Sequence, residues 1–234
     1  MLCRIADLLI DVPEAGGMAP RCRDYLTNET GSADIIIRAD RYKPDRLPYT
    51  DENMVAYMES FVQFSSRLLN YDGLYLHSSA IEWEGKAYLF SGPSGMGKST
   101  HTRLWQSIYP AARVFNDDKP ALRYLDGQWF AYGTPWCGKD GININMKVPL
   151  GGICFLRRGE ANSIRRLTPL EATVRIVSQT TRKFKTEERL DLLLSHVEKL
   201  VAMIPIYELH CLPDADAARL SSETMRRGAK ENNL

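Results

Sequence analysis

The segment Gly92-Pro-Ser-Gly-Met-Gly-Lys-Ser-Thr100 constrains this chain more than any other. It satisfies the spacing G-x-x-x-x-G-K-[ST] from Gly92 to Ser99. Glycines this close together weaken both helix and strand. They favour a loop whose backbone N–H groups turn inward around an anion, because glycine permits close approach and positive φ. Such a loop must lie between a strand and a helix, so that the helix N-terminus faces the anion. Lys86–Ser91 reads as that strand, and Lys98 to about Tyr109 as that helix. The pattern predicts an α/β domain that binds phosphate at Gly92, Pro93, Ser94, Gly95, Met96, Gly97, Lys98, Ser99 and Thr100. Lys98 would reach the β/γ-phosphates as a point charge, and the Ser99 hydroxyl would ligate Mg²⁺.

Composition narrows the rest. The chain has 234 residues, 44% hydrophobic and 25% charged, which is ordinary globular usage and argues against disorder or a coiled-coil rod. Thirty Lys+Arg against 29 Asp+Glu give a net charge of +1, so no general basic field invites nucleic acid. The five cysteines (3, 22, 137, 154 and 211) are odd in number and form no CxxC pair, which speaks against a disulfide framework or a Cys-based zinc site. No apolar run reaches membrane-spanning length, and Asp7 and Asp11 interrupt the opening segment as a secretory signal. The expectation is a cytoplasmic protein with no membrane partner. A homo-oligomer is compatible with it.

The remaining chain reads as alternating strands and helices. Leu2–Val12 resembles one strand followed by a turn at Pro13 and Gly16-Gly17, and Ala33–Ala39 a second strand. Thr50 or Asp51 could cap a helix running to about Tyr71, ended by Asp72-Gly73. Leu74–Trp83 and Lys86–Ser91 form a hairpin about Glu84-Gly85; Ala121–Leu125 and Gln128–Tyr132 form another about Asp126-Gly127. Val148–Arg157 and Ile164–Leu167 are strand-like, and Thr168-Pro-Leu-Glu171 is a capping box opening a helix to about Gln179. The apolar stripe Leu190, Leu193, Leu194, Val197, Leu200, Val201 and Ile204 marks a core-packed helix ended by Pro205. Ile206–Leu212 then reads as a strand, and Asp214 or Asp216 caps a last helix that Gly228 stops. Residues 1–73 are expected as an N-terminal strand/helix lobe and 74–234 as the core domain, with one continuous domain as the other division.

Val114-Phe-Asn-Asp-Asp-Lys119 ends a strand in paired carboxylates just after the loop helix. One could hold a metal and the other take a proton from an attacking hydroxyl. Adjacent strand residues point to opposite faces, so both serve one site only if the strand end bends. Asn-Asp-Asp-Lys-Pro is also good turn chemistry. His77 begins the strand paired with the loop strand, which would bring it near an Asp carboxylate. His101 reads as a packing or surface residue, and His196 and His210 lack companions at metal-ligand spacing. Gly133-Thr-Pro-Trp-Cys-Gly-Lys-Asp-Gly141 is either a recognition loop that uses Lys139 or a tight loop plugged by Trp136. Cys137 has no base beside it in sequence and makes a poor nucleophile.

The order His77-Ser-Ser-Ala, Gly92–Trp105, Asn116-Asp-Asp-Lys-Pro-Ala-Leu122 and Gly133-Thr-Pro-Trp136 resembles the catalytic domain of HPr kinase/phosphorylase and the wider phosphoenolpyruvate-carboxykinase-like group. The resemblance implies a mixed β-sheet core with flanking helices, a P-loop kinase binding ATP and Mg²⁺. It implies Asp117 as catalytic base, supported by His77, and Asp118 with Ser99 as metal-associated residues. Catalysis would then rest on Asp117, His77 and Lys98, with Lys139 a further phosphate or acceptor contact. The usual glycine-rich signature after the acidic pair is replaced by Gly133–Lys139. The expected reaction moves the γ-phosphoryl group of ATP to a hydroxyl of a protein, a peptide or a small molecule. A non-catalytic ATP-binding regulatory module is the alternative, and a nucleic-acid-associated ATPase a weaker one.

Overall fold

The computed structural model describes residues 1–15, 17–38, 51–180 and 186–231. The proposed cap at Thr50, the turn residue Gly16, the strand end at Ala39 and the tail residues Asn232–Leu234 lie outside the described residues. Among the described residues the architecture is α/β: a large mixed sheet, a small sheet and six helices.

The small sheet is the hairpin β1 (Leu2–Ile5) and β2 (Leu8–Asp11) with β3 (Ile35–Ile36) parallel to β2. One strand was expected here, but the chain reverses at Ala6 and Asp7, at φ 52° and 59°. Ala6 has no intrinsic preference for this conformation, and Asp7 only tolerates it. Tertiary contacts hold it: Arg123 Nη1 donates to the Ala6 carbonyl at 2.7 Å, while Tyr132 Oη and Lys147 Nζ each lie 2.7 Å from Asp7 Oδ2. A short helix α1 (Met18–Arg21) follows. Helix α2 (Glu52–Leu68) is capped by Asp51, whose side chain accepts from Asn53 N, and ends in a 3-10 turn, Leu69–Tyr71.

The large sheet begins with a correction. Leu74–Trp83 is two strands, β4 (Gly73–Tyr75) and β5 (Ser78–Trp83), broken at Leu76-His77. β4 pairs antiparallel with β8 (Ala121–Leu125), which forms the expected hairpin with β9 (Gln128–Tyr132). β5 lies between β6 (Lys86–Ser91) and β7 (Arg113–Asp118). The long β10 (Lys147–Arg158) joins the halves: its start pairs with β9, its middle runs parallel to β6, and its end runs parallel to β12 (Ile206–Cys211). β11 (Ser163–Arg166) closes that edge on β12.

Both tight hairpins take the positive-φ pair that a right-twisted ribbon requires, at Glu84-Gly85 and Asp126-Gly127. One face of the sheet packs Ala80, Leu89, Ile153, Phe155 and Ile206 against α4 (Pro169–Ser178) and α5 (Glu187–Met203). The other packs Ile81, Phe90, Leu156 and Leu209 against α3 (Lys98–Ile108) and α6 (Ala215–Glu231). Helix α4 starts at the expected capping box. α6 was expected to stop at Gly228 but runs to Glu231. Gly228 is there for space: a Cβ would lie 1.9 Å from Tyr207 Oη. Residues of the 1–73 segment, among them Cys3, Tyr57 and Phe64, share a buried cluster with Ala121, Tyr132 and Trp136.

Candidate functional site

The strand ends of the large sheet and the loop after β6 form the site. The loop leaves Ser91 at Gly92 (φ 148°), passes Gly95 (φ 78°) and enters α3 from Gly97 (φ 95°). Open space lies where Cβ atoms at Gly95 and Gly97 would project. Pro93, Ser94, Gly95 and Thr100 are exposed at the rim. Lys98 is buried, and its Nζ donates to the carbonyls of Gly92 at 3.0 Å and Pro93 at 3.4 Å. Burial lowers the Lys98 pKa, and the charges of Asp118 and Asp117 pull it partly back. The lysine is thus a desolvated cation tucked under the loop that would carry an anion.

The two carboxylates lie on opposite faces of one strand. Asp117 pairs in register with Ser79 and Asp118 with Ser78, so their side chains diverge as strand geometry demands. Asp117 turns toward α3, where Ser99 Oγ donates to its Oδ2 at 2.8 Å and lies 3.0 Å from Oδ1. Asp118 turns toward α4. Its Oδ1 lies 3.0 Å from His77 Nε2, and Lys119 Nζ pairs with its Oδ2. Asp118, the last residue of β7, has φ 110°. Burial pushes the Asp118 carboxyl up, but the His77 hydrogen bond and the Lys119 charge outweigh it and hold the group well below the usual carboxylate range. His77 was grouped with Asp117, and Ser99 with Asp118. The structure pairs them the other way round.

His77 owes its position to the break between β4 and β5. Ser91 Oγ donates to its carbonyl at 2.9 Å, and its own N–H donates to the Gln179 carbonyl at 2.9 Å. Its Nδ1 lies 3.2 Å from Gln179 Oε1 at the end of α4. Sequence reasoning missed Gln179 and gave no role to Lys119. Lys119 was visible as the neighbour of the acidic pair, whereas nothing in the sequence marks Gln179.

The 133–141 loop closes along the same strand end. Gly138 N donates to the Asp117 carbonyl, and a Cβ at Gly138 would lie 3.5 Å from Asp117 Oδ2. Trp136 is the plug: it is buried, stacks on Phe64 at 4.6 Å and donates from Nε1 to Ser60 Oγ at 3.0 Å. Cys137 is buried with Sγ 2.8 Å from Arg21 Nη1; burial raises its thiol pKa, which leaves it a poor nucleophile. Lys139 is exposed and makes no hydrogen bond or ion pair among the described residues, whereas Asp140 pairs with Arg103. His101 is a packing residue, with its ring 4.5 Å from Phe90.

On the α3 side of the loop a cavity of about 400 Å³ opens, lined by Gly95, Gly97, His101, Leu104, Leu156 and Leu212 among others. Among the described residues no group of three or more His, Cys, Asp or Glu side chains could hold a metal unaided. Among the same residues no helix is long and apolar enough to cross a membrane.

The family model of the SynChlorMet cassette protein ScmC matches residues 47–213, and the chain belongs to that family. No curated protein matches it. Among solved structures it is similar to the Hpr(Ser) kinase/phosphatase from Coxiella burnetii, at 12% identity and a TM-score of 0.40 over 67% of this chain and 90% of that one.

Proposed function

We propose that this ScmC-family chain is an ATP-dependent phosphotransferase of the P-loop type, similar to HPr kinase/phosphorylase, that moves the γ-phosphoryl group of ATP to a hydroxyl. The observation that carries this reading is the division of the acidic pair. Asp117 is tied to the loop hydroxyl Ser99, and Asp118 is tied to His77 on the other face. Nucleotide binding alone needs no second carboxylate held in this way.

The residues fit the groups implied. Gly92, Gly95 and Gly97 supply a backbone cradle at the start of α3, and Lys98 supplies the cation. The 400 Å³ cavity beside the loop suits a nucleoside. Ser99 and Asp117 present hard oxygen donors for Mg²⁺, which keeps its other positions for phosphate and water. When bound there, Mg²⁺ would neutralise charge on the phosphate oxygens.

The two carboxylates therefore exchange the roles first expected. Asp118 accepts the proton of the acceptor hydroxyl as its oxygen attacks the γ-phosphorus and the β–γ bridge bond breaks toward ADP. His77 and Lys119 keep that carboxylate ionised and oriented. Lys139, exposed beside Gly138, is proposed as a further contact for phosphate or acceptor. The protein would act in the cytoplasm.

The test is transfer from γ-labelled ATP to acceptors in a cell extract, run beside binding of a fluorescent ATP analogue. Asp118→Asn is expected to lose transfer by ~10²–10⁴-fold with nucleotide binding retained. Asp117→Asn is expected to raise the Mg²⁺ concentration needed for binding. Transfer by Asp118→Asn at the wild-type rate would overturn the assignment.

A further inference from the structure

A second charged cluster lies on the same sheet face as Asp118. Glu208 is buried, at 5% exposure, yet three arginines converge on it. Arg175 Nη2 lies 2.6 Å from Oε2, Arg165 Nη2 3.1 Å from Oε1 and Arg157 Nε 3.4 Å from Oε2. Arg165 also forks onto Glu171 at 2.8 and 3.0 Å. Three guanidinium groups thus meet two carboxylates, and the cluster keeps a surplus positive charge. Burial raises the Glu208 pKa, but Arg175, Arg165 and Arg157 together hold it below the ordinary value, so the carboxylate stays charged.

One arginine would suffice to satisfy a buried carboxylate, and the two beyond it are only partly used. Arg157 and Arg175 are 37% and 33% exposed. Among the described residues, the Nη groups of Arg157 and the Nε and Nη1 groups of Arg175 have no partner. These are planar forks of donors held in place by Glu208 and open to a further anion.

The sheet register relates this cluster to the phosphoryl-transfer site. Asp118, Ser78, Ser91, Phe155, Glu208 and Arg165 are successive partners across six strands, so they form one row on one face. Helix α4 ties the two ends together: Arg175 reaches Glu208, and Gln179 one turn later touches His77. Four strand spacings separate Asp118 from Glu208, ~19 Å. No single amino acid spans that distance, whereas an extended peptide at about 3.4 Å per residue covers it in roughly four to six residues.

We infer that Arg157 and Arg175, braced by Glu208, bind an acidic side chain of a peptide acceptor whose target hydroxyl lies at Asp118, roughly four to six residues away. This rests on the phosphotransferase reading and selects a peptide from the acceptor classes that reading leaves open.

The test uses the full chain with serine-containing peptides in which one Asp is moved through positions three to eight residues from the serine. Asp-free and Lys-substituted peptides and free serine serve as controls. Two readouts are taken: label transfer from γ-labelled ATP, and anisotropy of fluorescein-tagged peptide with a non-hydrolysable ATP analogue present. An Asp four to six residues away is expected to raise kcat/KM and tighten binding at least tenfold, with the gain lost at high salt. Arg175→Gln, which leaves Glu208 with two arginines, is expected to remove that gain and leave the Asp-free peptide unchanged. Transfer without any Asp preference, or free serine serving as well as peptide, would overturn the anion site and leave the kinase reading standing. Asp-dependent binding without transfer would support the anion site and sink the kinase reading. Neither binding nor transfer would overturn both. The salt dependence and the Asp scan read wild-type protein, so they decide the matter even where Arg175→Gln fails to fold.

Discussion

His77, in the break between β4 and β5, contacts Gln179 through its imidazole and places its Nε2 3.0 Å from Oδ1 of Asp118 at the end of β7. That contact and Lys119 hold the Asp118 pKa below the ordinary range despite burial. Removing the imidazole should therefore raise the Asp118 pKa, and the base would protonate at a higher pH than in the wild type. For His77→Ala we expect kcat to fall by ~10–10²-fold with the KM for ATP nearly unchanged. The acid limb of the pH–rate profile should move upward. His77→Gln, which keeps an N–H donor, should recover part of both. An unmoved acid limb in His77→Ala would disconnect this pair from the chemistry.

The cavity beside the loop makes a separate prediction. If it takes the nucleoside, filling it should penalise ATP and spare an anion that uses the loop alone. Leu104→Trp narrows the cavity from α3 without touching Lys98 or Ser99. Its affinity for ATP should drop at least tenfold while inorganic tripolyphosphate binds as before, both read by isothermal titration calorimetry. Equal losses for the two ligands would place the nucleoside elsewhere.

Features governed by local chemistry could be read from the chain. The glycine loop, the two tight turns at Glu84-Gly85 and Asp126-Gly127 and the capping box at Thr168 all depend on residues a few positions apart, and all appear where expected. The misses depend on distant partners. Leu74–Trp83 holds no Gly, Pro, Asn or Asp, so no strong turn residue marks the break at Leu76-His77. It exists because β4 pairs with β8 while β5 pairs with β6 and β7. Ala6-Asp7 carries only the weak turn signal of a single Asp, and Arg123, Tyr132 and Lys147 hold the reversal from elsewhere in the chain. Around the glycine loop, His77, Ser99, Asp117 and Asp118 stand out by residue type, whereas Gln179 and the pairing among these side chains do not. Which of Asp117 and Asp118 meets Ser99 follows from strand alternation together with the position of α3, and only the assembled sheet specifies that.

Gly228 tests packing against propensity. Alanine favours an isolated helix over glycine by about 1 kcal/mol. In α6, however, the added methyl would lie 1.9 Å from Tyr207 Oη and 3.2 Å from Tyr207 Cζ. Gly228→Ala should therefore destabilise the fold by ~1–3 kcal/mol, seen as a lower urea midpoint. Tyr207→Phe in the same chain removes the clashing oxygen and should restore most of the loss. A stabilised Gly228→Ala would mean that α6 moves freely against β12.

His101 predicts the acid sensitivity of the fold. The ring is 3% exposed, with Nε2 2.9 Å from Ser221 Oγ, and burial lowers its pKa to about 4 against a partial opposing pull from Asp214. Unfolded, the same imidazole titrates near 6.5. Between these values the unfolded chain binds the proton and the folded chain does not, so stability rises with pH across this window and falls as the pH drops from about 6.5 toward 4. The loss attributable to this one group is at most ~3 kcal/mol. His101→Gln keeps a polar partner for Ser221 without the titrating group. Its unfolding free energy should change less between pH 7 and pH 4.5 than that of the wild type, measured by urea titration at each pH. Parallel slopes in the two proteins would show that His101 does not govern acid unfolding.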